Sequence, residues 1–179
     1  MVSDTGVDTG VVGGGIAVAI FLPMLLEARR AARNERTQRA RGGLEPAGDV
    51  YRLMRLAYPG GFAAMLVELA LRGRPPAVEL LAAGAVVFAL AKTLKWWAIA
   101  TLGPAWTFRV IAVPGAPLVA AGPYRFLRHP NYLAVVGEFL GAALMTGALV
   151  SGPAATLAFG VLLKKRIAAE ERLLARTSR

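Results

Sequence analysis

Apolar residues in this chain are gathered into runs, and the stretches between them carry almost all of the charge. Val11 to Leu26 is the first run, with glycines at 13, 14 and 15 and Pro23 near its end. It is short for a membrane crossing, which takes about 20 residues, and reaches that length when Gly6 to Gly10 are included. Leu53 to Leu71 is the second, interrupted by Tyr58-Pro59-Gly60-Gly61, where a kink or a late helix start is predicted. Ala77 to Ala100 is the third, with Lys92, Lys95, Trp96 and Trp97 towards one end as an interfacial anchor. Tyr132 to Val150 is the fourth and holds one charge, Glu138. Ala154 to Leu163 opens a fifth, too short to cross alone before it meets Lys164-Lys165-Arg166. That helix is either short and shielded by protein, or continues as an amphipathic tail along Leu162, Leu163, Ile167 and Leu174.

The pattern predicts an all-α integral membrane bundle of about five transmembrane helices. Residues 1–179 read as a single domain. Three spans and a basic cytoplasmic loop at Glu27 to Asp49, with an amphipathic or flexible start, occupy 1–100. A polar loop, a helical hairpin and a C-terminal amphipathic helix occupy 101–179. Met1 to Gly10 has no basic residue and does not resemble a signal peptide.

Composition agrees: 56% of the 179 residues are hydrophobic and 18% are charged. The net charge of +10 does not indicate a nucleic-acid partner, because basic-rich and basic-poor segments alternate along the chain, which is the positive-inside pattern. Eight of the 21 lie between Arg29 and Arg55, and eleven more fall at Lys92, Lys95, Arg109, Arg125, Arg128 and from Lys164 onward. This places the N-terminus outside and the C-terminus in the cytoplasm. With no cysteine and one histidine, disulfides and a cysteine nucleophile are excluded and no metal site is expected.

The candidate chemistry sits in two polar clusters. The first is Gly122-Pro123-Tyr124-Arg125-Phe126-Leu127-Arg128-His129-Pro130-Asn131-Tyr132. Pro130 disfavours helix at His129 and can open the fourth helix as its first residue, so His129 lies at a helix N-terminus whose free N–H groups suit an electron-rich ligand. The second is Arg166-Ile167-Ala168-Ala169-Glu170-Glu171. Adjacent carboxylates on a helix diverge by about 100°, so one is expected to face a ligand while the other pairs with Arg166 or Arg172. Taken singly, the first cluster could be an interfacial cap and the second a solvated helix end. Glu138 lies about two helical turns beyond His129, where an ionisable group is costly; it is either functional or a paired packing residue. Glu68 is expected to pair locally with Arg72. Gly13 to Gly15, Gly137 and Gly141 are expected to allow close helix packing.

The two clusters, with one apolar hairpin between them, resemble the isoprenylcysteine carboxyl methyltransferase family, integral-membrane enzymes related to the phospholipid N-methyltransferases. The similarity extends back through Trp96-Trp97, Thr101-Leu102-Gly103-Pro104-Ala105-Trp106 and Arg109 to Pro117. One departure is Ala134, where many members have glycine. The resemblance implies S-adenosyl-L-methionine as methyl donor, with S-adenosylhomocysteine as product, in a cytoplasm-facing pocket. Gly122, Pro123, Tyr124, Leu127, His129, Pro130, Tyr132, Arg166, Glu170 and Glu171 would line it. Arg128, Glu138 and His129 are the catalytic candidates, and Trp97, Trp106 and Arg109 the substrate-side ones. The acceptor would be a membrane lipid or other lipophilic molecule in a bacterial inner membrane, methylated on oxygen of a prenyl carboxylate or a lipid phenol or quinol. The alternatives are a phospholipid-type N-methyltransferase and a non-catalytic membrane scaffold with a relic pocket. The NADPH-dependent sterol-reductase branch is much longer than this chain.

Overall fold

A computed structural model describes residues 8–177. Its elements are α1 (Thr9–Ala40), α2 (Tyr51–Arg72), α3 (Val78–Leu102), α4 (Pro130–Thr146) and α5 (Ser151–Thr177), with 3₁₀ turns at Gly103–Ala105 and Gly122–Arg125. No strand occurs among the described residues; an isolated bridge pairs Leu44 with Ala112. The first seven residues of the segment read as an outer tail lie outside the described residues.

The number of helices matches the number of apolar runs, but α1 is much longer than its run. The sequence placed a loop after Leu26, whereas the helix continues to Ala40. Ala, Arg, Glu and Gln are good helix formers, and the extension buries Glu27, Ala31, Asn34 and Gln38 along one face. Asn34 donates to the carbonyls of Gly103 and Trp106, and Gln38 to that of Pro104. The extension therefore holds the turn that follows α3. No late start occurs in α2, which contains Pro59 within an unbroken helix. The fifth helix does not stop at its basic residues and runs without a break from Ser151.

Helices α3 and α4 form the most extensive contact of the bundle. Two glycines make it possible. A Cβ on Gly84 would stand 2.5 Å from the Met145 nitrogen, and one on Gly141 would stand 2.6 Å from the Phe88 nitrogen. The Gly13–Gly15 segment has no such role: Gly14 and Gly15 face open space. The core gathers Phe62, Met65, Leu69, Phe139 and Phe159 from α2, α4 and α5.

The C-terminal end of α2 closes the α4–α5 hairpin from both sides. Glu68 accepts hydrogen bonds from the Leu149, Val150 and Ser151 amides and the Ser151 hydroxyl, capping α5. Arg72 donates to the Thr146 carbonyl at the end of α4. The expected Glu68–Arg72 pair does not form, because each side chain finds backbone groups at the hairpin that need a partner.

The distribution of polarity is the reverse of a water-soluble bundle. Val18, Leu22, Leu56, Val67, Leu90, Leu140 and Leu157 are exposed, whereas Glu27, Lys95 and Glu138 are buried. By length and composition α1 can cross a bilayer, its apolar window having a mean hydropathy of 2.1.

Candidate active site

Pro130 opens α4 as its first residue and leaves His129 as the N-cap, with non-helical φ −132° and ψ 62°. One turn into the helix, Tyr132 stacks on the His129 ring, with centroids 5.4 Å apart and planes 20° from parallel. These two rings meet the second polar cluster on α5. The Tyr132 hydroxyl donates to Glu170 at 2.5 Å, and His129 Nε2 lies 3.4 Å from Glu171 Oε1. The adjacent carboxylates thus serve different partners on the opposite helix, as their angular separation requires.

Arg166 joins neither glutamate. Its Nε donates to the Tyr132 hydroxyl at 3.0 Å, one Nη contacts Asp49 at 3.3 Å and the other donates to the Phe108 carbonyl. It is 5% exposed, so these bonds are formed away from water and tie α5 to α4, to the approach to α2 and to the long loop. Neither the Asp49 partner nor the Phe108 carbonyl was anticipated. Asp49 is 117 positions away in sequence, a separation that no local pattern reports.

The 3₁₀ turn Gly122–Arg125 lies against α3. Gly122 has φ +53°, and a Cβ there would collide with the Thr101 hydroxyl and crowd Trp97 Nε1, so glycine is required by conformation and by space. Pro123 is buried, while Phe126 and Leu127 are exposed. Burial, and then the nearby charge of Glu170, push the Tyr124 phenol above its usual pKa, keeping it a hydrogen-bond donor. Arg128 points outward, with 90% of its side chain exposed and its guanidinium 3.9 Å from Glu171.

The remaining candidates divide. Trp106 is buried against Ala31 and Ile99, with its indole N–H 3.4 Å from the Asn131 side-chain oxygen; Trp97 is half exposed. Arg109 is engaged by Glu45 at 3.0 Å and Glu35 at 3.7 Å and lies over the Tyr51 ring. Burial raises the Glu45 pKa, but hydrogen bonds and charge from Arg39 and Arg109 outweigh it and hold the carboxyl below its usual value.

Glu138 stands apart from all of these. It is fully buried in a ring of alternating charge with Glu27 of α1 and Lys92 and Lys95 of α3. Lys92 lies 2.9 Å from each glutamate, and Lys95 lies 2.7 Å from Glu27 and 3.3 Å from Glu138. Tyr58 of α2 donates to Glu138 and accepts from Lys95 at 3.0 Å. Glu27 Oε2 and Glu138 Oε1 have an ammonium at ion-pair distance without an aligned N–H. Lys92 and Lys95 are therefore partners of buried carboxylates rather than interfacial anchors, because each charge has an opposite one within reach on a neighbouring helix. Three of the four charges were visible in the sequence only as edge residues of apolar runs.

Apolar outer faces, balanced charge inside and a polar site at one end of two neighbouring helices define a membrane-embedded helical bundle. The model of the isoprenylcysteine carboxyl methyltransferase (ICMT) family matches residues 82–176, and the chain belongs to that family of membrane methyltransferases. It is 31% identical over 144 residues to the "Uncharacterized protein YpbQ" of Bacillus subtilis (strain 168), covering 80% of this chain and 85% of that protein. No solved structure matches. The matched segment contains both polar clusters, the α3 lysines and Glu138, and leaves out α1 and α2.

Proposed function

We propose that the chain is an S-adenosyl-L-methionine-dependent O-methyltransferase acting on a lipophilic acceptor, with its site on the cytoplasmic side of a bacterial inner membrane. The observation that carries this reading is the meeting of His129 and Tyr132 with Glu171 and Glu170 across the α4–α5 hairpin. The donor set fits the cofactor's chemistry. Glu170 and Glu171 can accept from ribose hydroxyls and an ammonium, Tyr124 and backbone N–H groups can donate to the adenine edge and carboxylate, and Gly122 allows close backbone approach. Pro123, Leu127 and Pro130 supply apolar surface, and Arg166 fixes the Tyr132 hydroxyl that orients Glu170.

When bound, the cofactor supplies an electrophilic methyl on a sulfonium, which needs alignment and a dry pocket rather than a covalent enzyme intermediate. Arg128 and Arg125, both exposed, are the cations available to position an acceptor carboxylate. Arg109 is already satisfied and holds the loop. For a phenol acceptor the proton would pass to His129 Nδ1, with Glu171 at Nε2 stabilising the imidazolium. Glu138 acts as a positioning residue through the packing of α1, α3 and α4. Trp97 and Trp106 shape the surface beside the first cluster.

Titration calorimetry of the full chain in detergent tests this. S-adenosylhomocysteine binds, NADPH does not, and Glu170→Ala and His129→Ala each weaken binding at least about tenfold, the loss expected for a charged hydrogen-bonding partner. Absence of S-adenosylhomocysteine binding in the wild type overturns the reading. Turnover on a panel of lipid carboxylates, phenols and phosphatidylethanolamine separates O- from N-methylation.

A further inference from the structure

The outward face of α1 changes character once along its length. Val18, Leu22, Leu25 and Leu26 are exposed and apolar; one turn further on, the same face presents Arg29, Arg33 and Arg36. At 100° per residue these seven positions fall within an arc of about 100°. With Ala32 and Thr37, also on α1, the three arginines frame a shallow, open groove. Among the described residues none of the three is in an ion pair, whereas Arg39 and Arg109 pair with Glu45 and Arg166 pairs with Asp49. The opposite face of the same segment is committed to the bundle through Glu27, Asn34 and Gln38. The groove is therefore not a by-product of internal packing.

We infer that this face is a binding site for an anionic phospholipid, its phosphate held by Arg29, Arg33 and Arg36 and an acyl chain lying along Leu26, Leu25, Leu22 and Val18. Charge complementarity selects an anionic headgroup, since arginine forks match phosphate oxygens and no carboxylate competes for them. The apolar stretch from Val18 to Leu26 rises about 12 Å, close to the depth of one leaflet's hydrocarbon. A soluble phosphate would leave this apolar half of the face unused. The bound lipid is a fixed companion rather than a methyl acceptor, because the arginines lie on the face of α1 opposite the one that packs on the bundle through Glu27, Asn34 and Gln38. The inference does not depend on the proposed methyl transfer.

Thermal unfolding of the full chain in dodecyl maltoside, followed by tryptophan fluorescence, tests the assignment. Phosphatidylglycerol raises the melting temperature by roughly 5 °C at saturation, the scale expected for a ligand binding the folded state of a chain this size. Phosphatidylcholine, inorganic phosphate and glycerol 1-phosphate at matched ionic strength give less than half of that rise. Arg29→Gln/Arg33→Gln/Arg36→Gln removes the response, while Arg52→Gln/Arg55→Gln/Arg176→Gln, with the same change in net charge, retains it. Arg33→Gln alone reports the same loss in part should the triple variant fail to fold. Equal responses to phosphatidylglycerol and phosphatidylcholine, a full response to a soluble phosphate, or equal loss in both triple variants overturns the inference.

Discussion

Tyr132 holds two charged side chains with one oxygen. It donates to Glu170 and accepts from Arg166, and its ring supports His129 from the side. Replacing the hydroxyl removes both bonds without removing the ring. Tyr132→Phe is therefore expected to leave helix content unchanged and weaken S-adenosylhomocysteine binding by roughly tenfold or more, since hydrogen bonds to charged groups contribute about 1.5–3 kcal/mol. Calorimetry on the two proteins checks this, and unchanged affinity would show that Glu170 needs no help to face its ligand. At this scale the sequence was informative where neighbours in the site share a motif. His129, Tyr132, Glu170 and Glu171 were all legible as candidates, and helix geometry gave the divergence of the two glutamates but not their tyrosine and histidine partners. The partners of Arg166 were not legible, because Asp49 and the Phe108 carbonyl reach it only through the fold.

Among the elements, the helices announced themselves by hydropathy, and their ends did not. Hydropathy stops reporting at Leu26 because the exposed apolar face of α1 stops there, yet the backbone continues in helix as long as its residues favour it and one face finds partners. The same limit hid the glycines that matter. Gly13 to Gly15 form an obvious cluster and touch little, whereas Gly84 is a lone glycine in α3 with the backbone of α4 against it. Gly84→Ala is expected to lower stability by about 1–3 kcal/mol through forced separation of α3 and α4. Gly14→Ala, with nothing within 4 Å of the added carbon, is expected to be neutral or slightly stabilising through helix propensity. Melting temperatures in one detergent compare them directly, and equal losses would mean that the α3–α4 contact yields more easily than its spacing implies.

For the whole molecule, the decisive feature is that its buried charges cancel. Two ammonium groups and two carboxylates share one site supplied by α1, α3 and α4, and Tyr58 adds α2. Taking away one member leaves an uncompensated buried charge, at a cost of about 3–5 kcal/mol, whereas taking away an opposite pair leaves the other pair intact. Lys92→Met and Glu27→Leu are each expected to destabilise strongly, and the double variant to lose less than the sum of the two by at least about 1 kcal/mol. A double-mutant cycle by thermal unfolding measures that difference; simple additivity would mean that the four charges do not act as a unit. The sequence could not display the ring, because Glu27 and the two α3 lysines read as boundary residues of their runs, and Glu138, inside its run, has its partners on other helices.

The ring also bears on how the chain is made. Synthesis proceeds from the N-terminus, so in the proposed topology α1 brings Glu27 into the membrane first and α3 arrives later with two lysines. One lysine finds Glu27 at once. The other waits for Glu138, which comes only when α4 is inserted. Between those moments the half-made protein carries a single unmatched positive charge in its interior, and a chain that stalled or was cut there would carry it permanently. A membrane quality-control protease that recognises exposed intramembrane charge would thus distinguish a finished molecule from an unfinished one by whether α4 has docked.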